Sequence, residues 1–212
     1  MNLLLLGATG LVGRNVLAQA LANPAVIRVI APTRRPLEPH SKLTNPVSER
    51  LEALLSEEIN RGIDGVVCCL GTTIKKAGSK EAFREVDYEL PLKFARDAHQ
   101  HGVETFVLVS ASTASTSSAM FYSRIKGEVE RDIGRVGFRS LTIARPSLIG
   151  GQRDEPRFME HIALQLLRVL APILPKKLQI NPAETISAAC LNAVMASDPG
   201  FYIRNAESLV AG

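Results

Sequence analysis

The chain has 212 residues, 46% of them apolar and 22% charged, which suits one globular domain over residues 1–212 with a large core. Its net charge of +4 comes with only 5% aromatic residues. The basic residues are scattered, with no aromatic-interleaved basic stretch, so no nucleic-acid partner is expected. Three cysteines exclude a disulfide framework and suit a reducing compartment.

Asn2–Leu6 is an apolar run that reads as a buried strand, and Leu11–Leu21 has helical spacing. The first run follows only Met1 and Asn2, has no basic lead-in and stops at Gly7. That is unlike a signal peptide, and a soluble, cytoplasmic protein is expected. Val26–Ala31 is a β-branched strand followed by a turn-rich stretch, Pro32–Pro46. Leu51–Ile59 reads as a short amphipathic helix and Gly65–Leu70 as a buried strand. Tyr88–Gln100 reads as a helix with Asp87 as N-cap and Pro91 in its first turn, where an amide is not needed. Thr105–Ser110 is a strand, and Ser110–Ser118 a Ser/Thr-rich loop. Ala119–Val136 is a helix and Ser140–Ala144 a strand. This alternation predicts an α/β fold: a Rossmann-type doubly wound parallel sheet with helices on both faces.

After Arg145-Pro146 the rhythm breaks. Glu160–Leu170 and Ala183–Ala196 have helical patterns, with Pro172 and Pro175 between them, and Phe201–Arg204 is a short strand. Residues 147–212 are expected to supply closing elements and a small irregular cap on the substrate side, at the carboxyl ends of the strands. Ile162–Leu174 is apolar but carries Gln165, Arg168 and Pro172 and is too short to span a bilayer, so no membrane partner is expected. It packs internally or forms a dimer or partner face.

The run Leu3-Leu4-Leu5-Leu6-Gly7-Ala8-Thr9-Gly10-Leu11-Val12-Gly13 is strand, turn, helix. Gly7 permits the tight turn, Gly10 lets backbone approach a pyrophosphate, and Gly13 lets the helix pack close to the sheet. Amides from Thr9 through Leu11 to Val12 would face the anion. The spacing is G-x-x-G-x-x-G, and its position between a buried strand and a helix gives it its weight. About 20 residues on, a carboxylate favours NAD and an arginine favours the 2′-phosphate of NADP. Here Arg34 and Arg35 follow the second strand, and no acidic residue precedes Glu38. A guanidinium grips a phosphate with a two-pronged hydrogen bond, so NADP(H) is the expected cofactor.

Tyr122 and Lys126 are four apart on a helix and share a face. A phenol ordinarily titrates near about 10, and the neighbouring ammonium is expected to lower that value. Such a Tyr gives a proton to a carbonyl oxygen that receives hydride, or takes one in reverse. A Tyr-x-x-x-Lys pair also arises by chance. Its place after the strand Thr105–Ser110 and the Ser-rich loop is what singles it out.

With these motifs the chain resembles the short-chain dehydrogenase/reductase superfamily, of the extended or atypical kind, from Met1 to about Gly151. The resemblance rests on Gly7 to Gly13, Val86-Asp87, Val107-Leu108-Val109-Ser110, Tyr122 with Lys126, and Arg145-Pro146. Two further strings resemble the HIV Tat-interacting-protein family: Cys68-Cys69-Leu70-Gly71-Thr72-Thr73 with Lys76-Ala77-Gly78, and Tyr122 to Lys126 continuing as Gly127-Glu128-Val129-Glu130. The resemblance implies that Leu70 and Gly71 lie against the adenosine side of the cofactor. It implies Tyr122 as general acid/base, and Lys126 holding the nicotinamide ribose and tuning Tyr122. Arg145-Pro146 would start the loop beside the nicotinamide. The superfamily's catalytic Ser, which polarises the substrate carbonyl, falls on Ser112 or Ser110, with Ser112 preferred.

Other chemistries fail on spacing. His40, His99, His101 and His161 form no metal-ligand set, Gly13 is not followed by Lys-Ser/Thr, and Cys68 and Cys69 are flanked by buried strand residues. The leading expectation is an NADP(H)-dependent oxidoreductase moving hydride between nicotinamide and a small or medium carbonyl or alcohol. Its rival is an NADPH-sensing regulator or scaffold acting through a protein partner, which has no physical need for the Tyr122/Lys126 pair. A sugar-nucleotide epimerase or dehydratase is disfavoured by the short tail.

Overall fold

The structure, a computed structural model, describes residues 1–150 and 180–210. β1 (Asn2–Leu6) turns into α1 (Leu11–Ala22), followed by β2 (Arg28–Ile30) and β3 (Leu43–Thr44). A 3-10 turn (Leu51–Leu54) and α2 (Glu57–Asn60) lead to β4 (Gly65–Cys68). Next come α3 (Ile74–Ala77), α4 (Lys80–Arg84), a π turn (Glu85–Glu89) and α5 (Leu90–Gln100). β5 (Thr105–Val109), α6 (Phe121–Gly134), β6 (Ser140–Arg145) and β7 (Ile149–Gly150) close the first part. Beyond the undescribed stretch, β8 (Asn181–Pro182), α7 (Ala183–Ala196) and β9 (Gly200–Asn205) end in a 3-10 turn (Ala206–Leu209).

Among the described residues seven strands form one sheet in the order β3-β2-β1-β4-β5-β6-β9, and every pairing is parallel. This is the doubly wound Rossmann-type fold. Alternation along β1 divides the core. Leu4 and Leu6 pack with Phe94, Ala95, Val129 and Ile133 of α5 and α6. Leu3 and Leu5 pack with Val12 and Val16 of α1 and Ile186 and Cys190 of α7. Burial on both faces explains the unbroken apolar run. The strand order reverses at β1 and β4, and a crevice opens beyond their carboxyl ends at such a point.

The differences from expectation have local causes. β3 lies inside the turn-rich Pro32–Pro46. There the Asn45 amide donates to the Ala31 carbonyl at 2.6 Å and to Thr33 Oγ1 at 2.8 Å, and holds the short strand in place. The helix expected over Leu51–Ile59 breaks because Ser56 starts a new one, its hydroxyl accepting the Ile59 amide. Asp87 is not an N-cap. The helix runs back to Lys80, and Pro91, which lacks an amide and crowds the carbonyl four residues back, is accommodated by the π turn. There the Leu90 amide reaches Glu85 O, five residues earlier.

The expected Glu160–Leu170 helix and the Ile162–Leu174 segment lie outside the described residues. The described part of the tail completes the sheet: α7 covers the α1 face and β9 forms its edge. Ser187 Oγ, buried on α7, shares its one proton between Ala183 O of its own helix at 2.6 Å and Val12 O in α1 at 3.1 Å. β7 and β8 form a separate two-stranded parallel pair. Its Asn181 side chain accepts the Ser147 amide at 2.7 Å and donates to Ala206 O at 2.8 Å.

Candidate cofactor and catalytic site

Gly7 has φ +81°, and a Cβ there would meet Cys69 O at 2.6 Å. Only glycine fits both demands. A Cβ at Gly13 would lie 2.1 Å from Gly7 O, so α1 sits directly on the turn. Gly10 differs: a Cβ would touch only Gly7 O, at 3.4 Å, and otherwise meet open space. Gly10 begins α1 with no side-chain cap, and Thr9 and Gly10 are exposed. Leu11 is half-buried and Val12 buried, so they offer backbone rather than side chain. An uncapped helix start with open space before it fits a pyrophosphate.

Arg34 and Arg35 are exposed just past β2. Their turn is held by Thr33, whose hydroxyl donates to Arg35 O at 2.6 Å. Leu70 is buried in the core while Gly71 is exposed at the end of β4. The thiols of Cys68 and Cys69 are pushed up by burial, Cys68 to about 12, so both are inert at neutral pH.

α6 brings Tyr122 and Lys126 to the same crevice. Tyr122 packs on Phe83 of α4, ring centroids 5.8 Å apart. The Lys126 ammonium is buried and lies 2.7 Å from Asp87 Oδ1, while Asp87 Oδ2 accepts the Thr72 amide at 2.8 Å. Burial works against the Lys126 charge, but Asp87 and Tyr122 more than restore it and raise its pKa. Tyr122 corrects the sequence expectation. Burial raises its pKa, Lys126 lowers it and Asp87 raises it, and the net direction is upward from 10. Lys126 does lower it as expected, but burial outweighs that lowering, and the Asp87 carboxylate beside the ammonium adds to the rise.

Ser110 and Ser112 part company. Ser110 Oγ is buried and has no hydrogen-bond partner. Ser112 is exposed, and its amide donates to Pro146 O at 2.8 Å. The Ser-rich loop is tied to the first turn of α6 by the Ser115 amide on Ser123 O at 3.0 Å and by Ser123 Oγ on Thr113 Oγ1 at 3.0 Å. Gly127 lets that loop lie against the helix: a Cβ there would sit 2.3 Å from the Ser115 backbone. The Arg145 guanidinium is not beside the crevice's reacting groups. It is turned onto α6, where its Nε donates to Glu130 Oε1 at 3.1 Å. Buried Pro146 contributes its carbonyl to the loop contact.

Reading the sequence gives three of these groups no role in the site: Asp87 reads as a cap and as part of the Val86-Asp87 string, Glu130 only as the end of a matched string, and Phe83 carries no motif. The signal for Asp87 is an acid on an apolar-faced helix four residues before a proline.

Fold and site together define a Rossmann domain built to hold a phosphate-bearing dinucleotide. The chain belongs to the NAD(P)H-binding family, whose model matches residues 7–137. It is similar to protein fmp52, mitochondrial, of Emericella nidulans, with 38% identity over 169 residues, 76% of this chain and 72% of the relative. The Aspergillus fumigatus protein of that name is 36% identical over 203 residues, 91% of this chain and 86% of the relative. These names overturn the expectation of a cytoplasmic protein. Among solved structures it is similar to MoeE5 in complex with UDP-glucose and NAD, TM-score 0.74 at 18% identity over 97% of this chain and 75% of that one. A short-chain dehydrogenase/reductase family oxidoreductase from Burkholderia thailandensis gives TM-score 0.68 at 15% identity, over 98% and 92%. At these identities the likeness carries the fold and nothing finer.

Proposed function

We propose that the protein is an NADP(H)-dependent oxidoreductase of the short-chain dehydrogenase/reductase type, acting on a small or medium carbonyl or alcohol. The observation that carries this is a half-buried Tyr122 beside the buried Lys126 and an unpartnered Ser110 hydroxyl at the carboxyl ends of β4 and β5, beside the open glycine turn. Bound NADPH supplies the hydride. The chain's own groups do the rest. The amides at Leu11 and Val12 bind the pyrophosphate, and Arg34 and Arg35 bind the 2′-phosphate. Lys126, an ammonium with three donors, gives one to Asp87 and has two for ribose hydroxyls. Tyr122, a neutral phenol at neutral pH, gives its proton to the carbonyl oxygen. Ser110 donates to that oxygen. The structure favours it over Ser112, since a buried hydroxyl without a partner is costly unless a ligand completes it.

The partner is a small molecule. The Cys68–Thr73 and Tyr122–Glu130 strings make the Tat-interacting proteins the subgroup we favour, and the relatives' names support a mitochondrial location. NADPH titration followed by a panel of aldehydes, ketones and quinones tests this. NADPH oxidation that Tyr122→Phe abolishes supports it. Tight NADPH binding with no hydride leaving across the panel gives the case to a cofactor-sensing regulator.

A further inference from the structure

The buried acid at the back of the site has no place in the proton-transfer scheme above. Asp87 is 1% exposed, and a carboxylate is kept there only by partners. It has two, the Thr72 amide at 2.8 Å and the Lys126 ammonium at 2.7 Å. The π turn delivers it: the shifted register carries Asp87 inward between Gly71 and α6, and π turns recur at functional positions. Gly71 lies against the pair: a Cβ there would be in ordinary contact, 3.4 Å from Asp87 Oδ1 and 3.7 Å from Lys126 Nζ. The other titratable groups acting on the pair are Tyr122 on α6 and Cys68 on β4, whose thiol is neutral. Asp87 is therefore the negative charge that balances Lys126.

We propose that Asp87 is a positioning residue for proton transfer: anchored by the Thr72 amide, its carboxylate holds the Lys126 ammonium at Gly71 and offsets its charge, so that Tyr122 works as a neutral proton donor. Its catalytic meaning rests on the oxidoreductase reading; its electrostatics do not. An ammonium with no counter-ion, four residues along the same helix face, stabilises the phenolate and makes Tyr122 a stronger acid. With Asp87 in place the phenol keeps its proton, the form that reduction of a carbonyl needs.

The chain has three Tyr and no Trp, so phenol ionisation is read by near-ultraviolet difference absorbance without indole background. Subtracting the Tyr122→Phe titration isolates Tyr122. Asp87→Asn keeps an acceptor for the Thr72 amide but removes the charge, and should move the Tyr122 midpoint down by about one unit or more. Adding Lys126→Met to that variant should abolish the drop. Lys126→Met alone, which leaves a bare carboxylate opposite Tyr122, should move the midpoint up, and it decides the matter if Asp87→Asn does not fold. Asp87→Glu should stay near wild type. An unmoved midpoint in Asp87→Asn, the same drop in the double variant, or no rise in Lys126→Met overturns the proposal. These titrations need no substrate. A panel without turnover therefore defeats the oxidoreductase reading and leaves the Asp87 result standing. Where turnover is found, the alkaline limb of its pH profile should follow the midpoint.

Discussion

Replacing Gly13 by alanine asks α1 to occupy space that the turn already fills. The new Cβ would lie 2.1 Å from Gly7 O, where ordinary contact begins at 3.4 Å. The difference, about 1.3 Å, falls between two backbones, so no flexible side chain can yield. α1 must lift from the turn. Overpacking of this kind costs about 1–3 kcal/mol. At about 2–4 °C per kcal/mol for a domain of this size, Tm should drop by about 2–12 °C. The lift also carries the amides at the start of α1 away from the pyrophosphate. A loss of one charge-assisted hydrogen bond, about 1.5–3 kcal/mol, weakens NADPH at least about tenfold. Gly10→Ala is the matched control. Its Cβ meets only one atom, at 3.4 Å, so the fold should melt as wild type while NADPH binding fails. Calorimetry and fluorescence titration read the two quantities. A Gly13→Ala variant that melts and binds as wild type refutes the packing argument. Normal NADPH binding by Gly10→Ala puts the phosphate elsewhere.

The joint variant Arg34→Ala/Arg35→Ala should erase a preference for NADPH over NADH of at least about tenfold; equal affinities in the wild type would count against the 2′-phosphate assignment. Tyr122→Phe should keep NADPH affinity and lose about 10²–10⁴ in turnover, whereas Lys126→Ala should lose both. Because the Tyr122 pKa is raised from 10, carbonyl reduction should stay flat through neutral pH and decline only at strongly alkaline pH; a decline already at pH about 8 contradicts the neutral-donor reading. Asp132 on α6 is held at about 2, chiefly by the Arg131 hydrogen bond and also by the Tyr88 hydroxyl. A depressed folded-state value adds stability that is present above the ordinary carboxylate value and is lost as pH falls through about 2. Asp132→Asn should therefore flatten the acid limb of Tm against pH below about 4, and an unchanged limb would show that the pair adds nothing.

What could be read from the sequence was local. Leu3 to Gly13 announces strand, turn and helix within eleven positions, and α7 matches its expected span, Ala183–Ala196, because its apolar face repeats along one continuous element. Tyr122 and Lys126 are four apart, a spacing that fixes a shared face without any tertiary knowledge. The pairings that give the site its electrostatics are not local. Asp87 meets Lys126 across α5, β5 and a loop, and Glu130 of α6 takes Arg145 from β6. No periodicity encodes either. The burial of Tyr122 is not local either, and it is what chiefly turns the Tyr122 shift upward. The π turn was hidden for another reason: Pro91 looks like a helix start, and only the burial of Phe83 and Asp87 ahead of it shows why the helix continues through it.

The bond from Ser187 to Val12 has a consequence for the order in which the molecule is assembled. It joins residues 175 positions apart, and with it the apolar stripe of Val12, Val16 and Ala20 finds its cover in Ile186, Cys190 and Val194. On the ribosome, the helix that frames the phosphate therefore waits for residues 183–196 to emerge before its outer side is sealed. Until then it exposes that stripe, a natural hold for a chaperone. A fragment ending before residue 183 would keep every glycine of the turn and still leave the phosphate-facing helix loosely seated. Supplying residues 181–210 in trans should restore it.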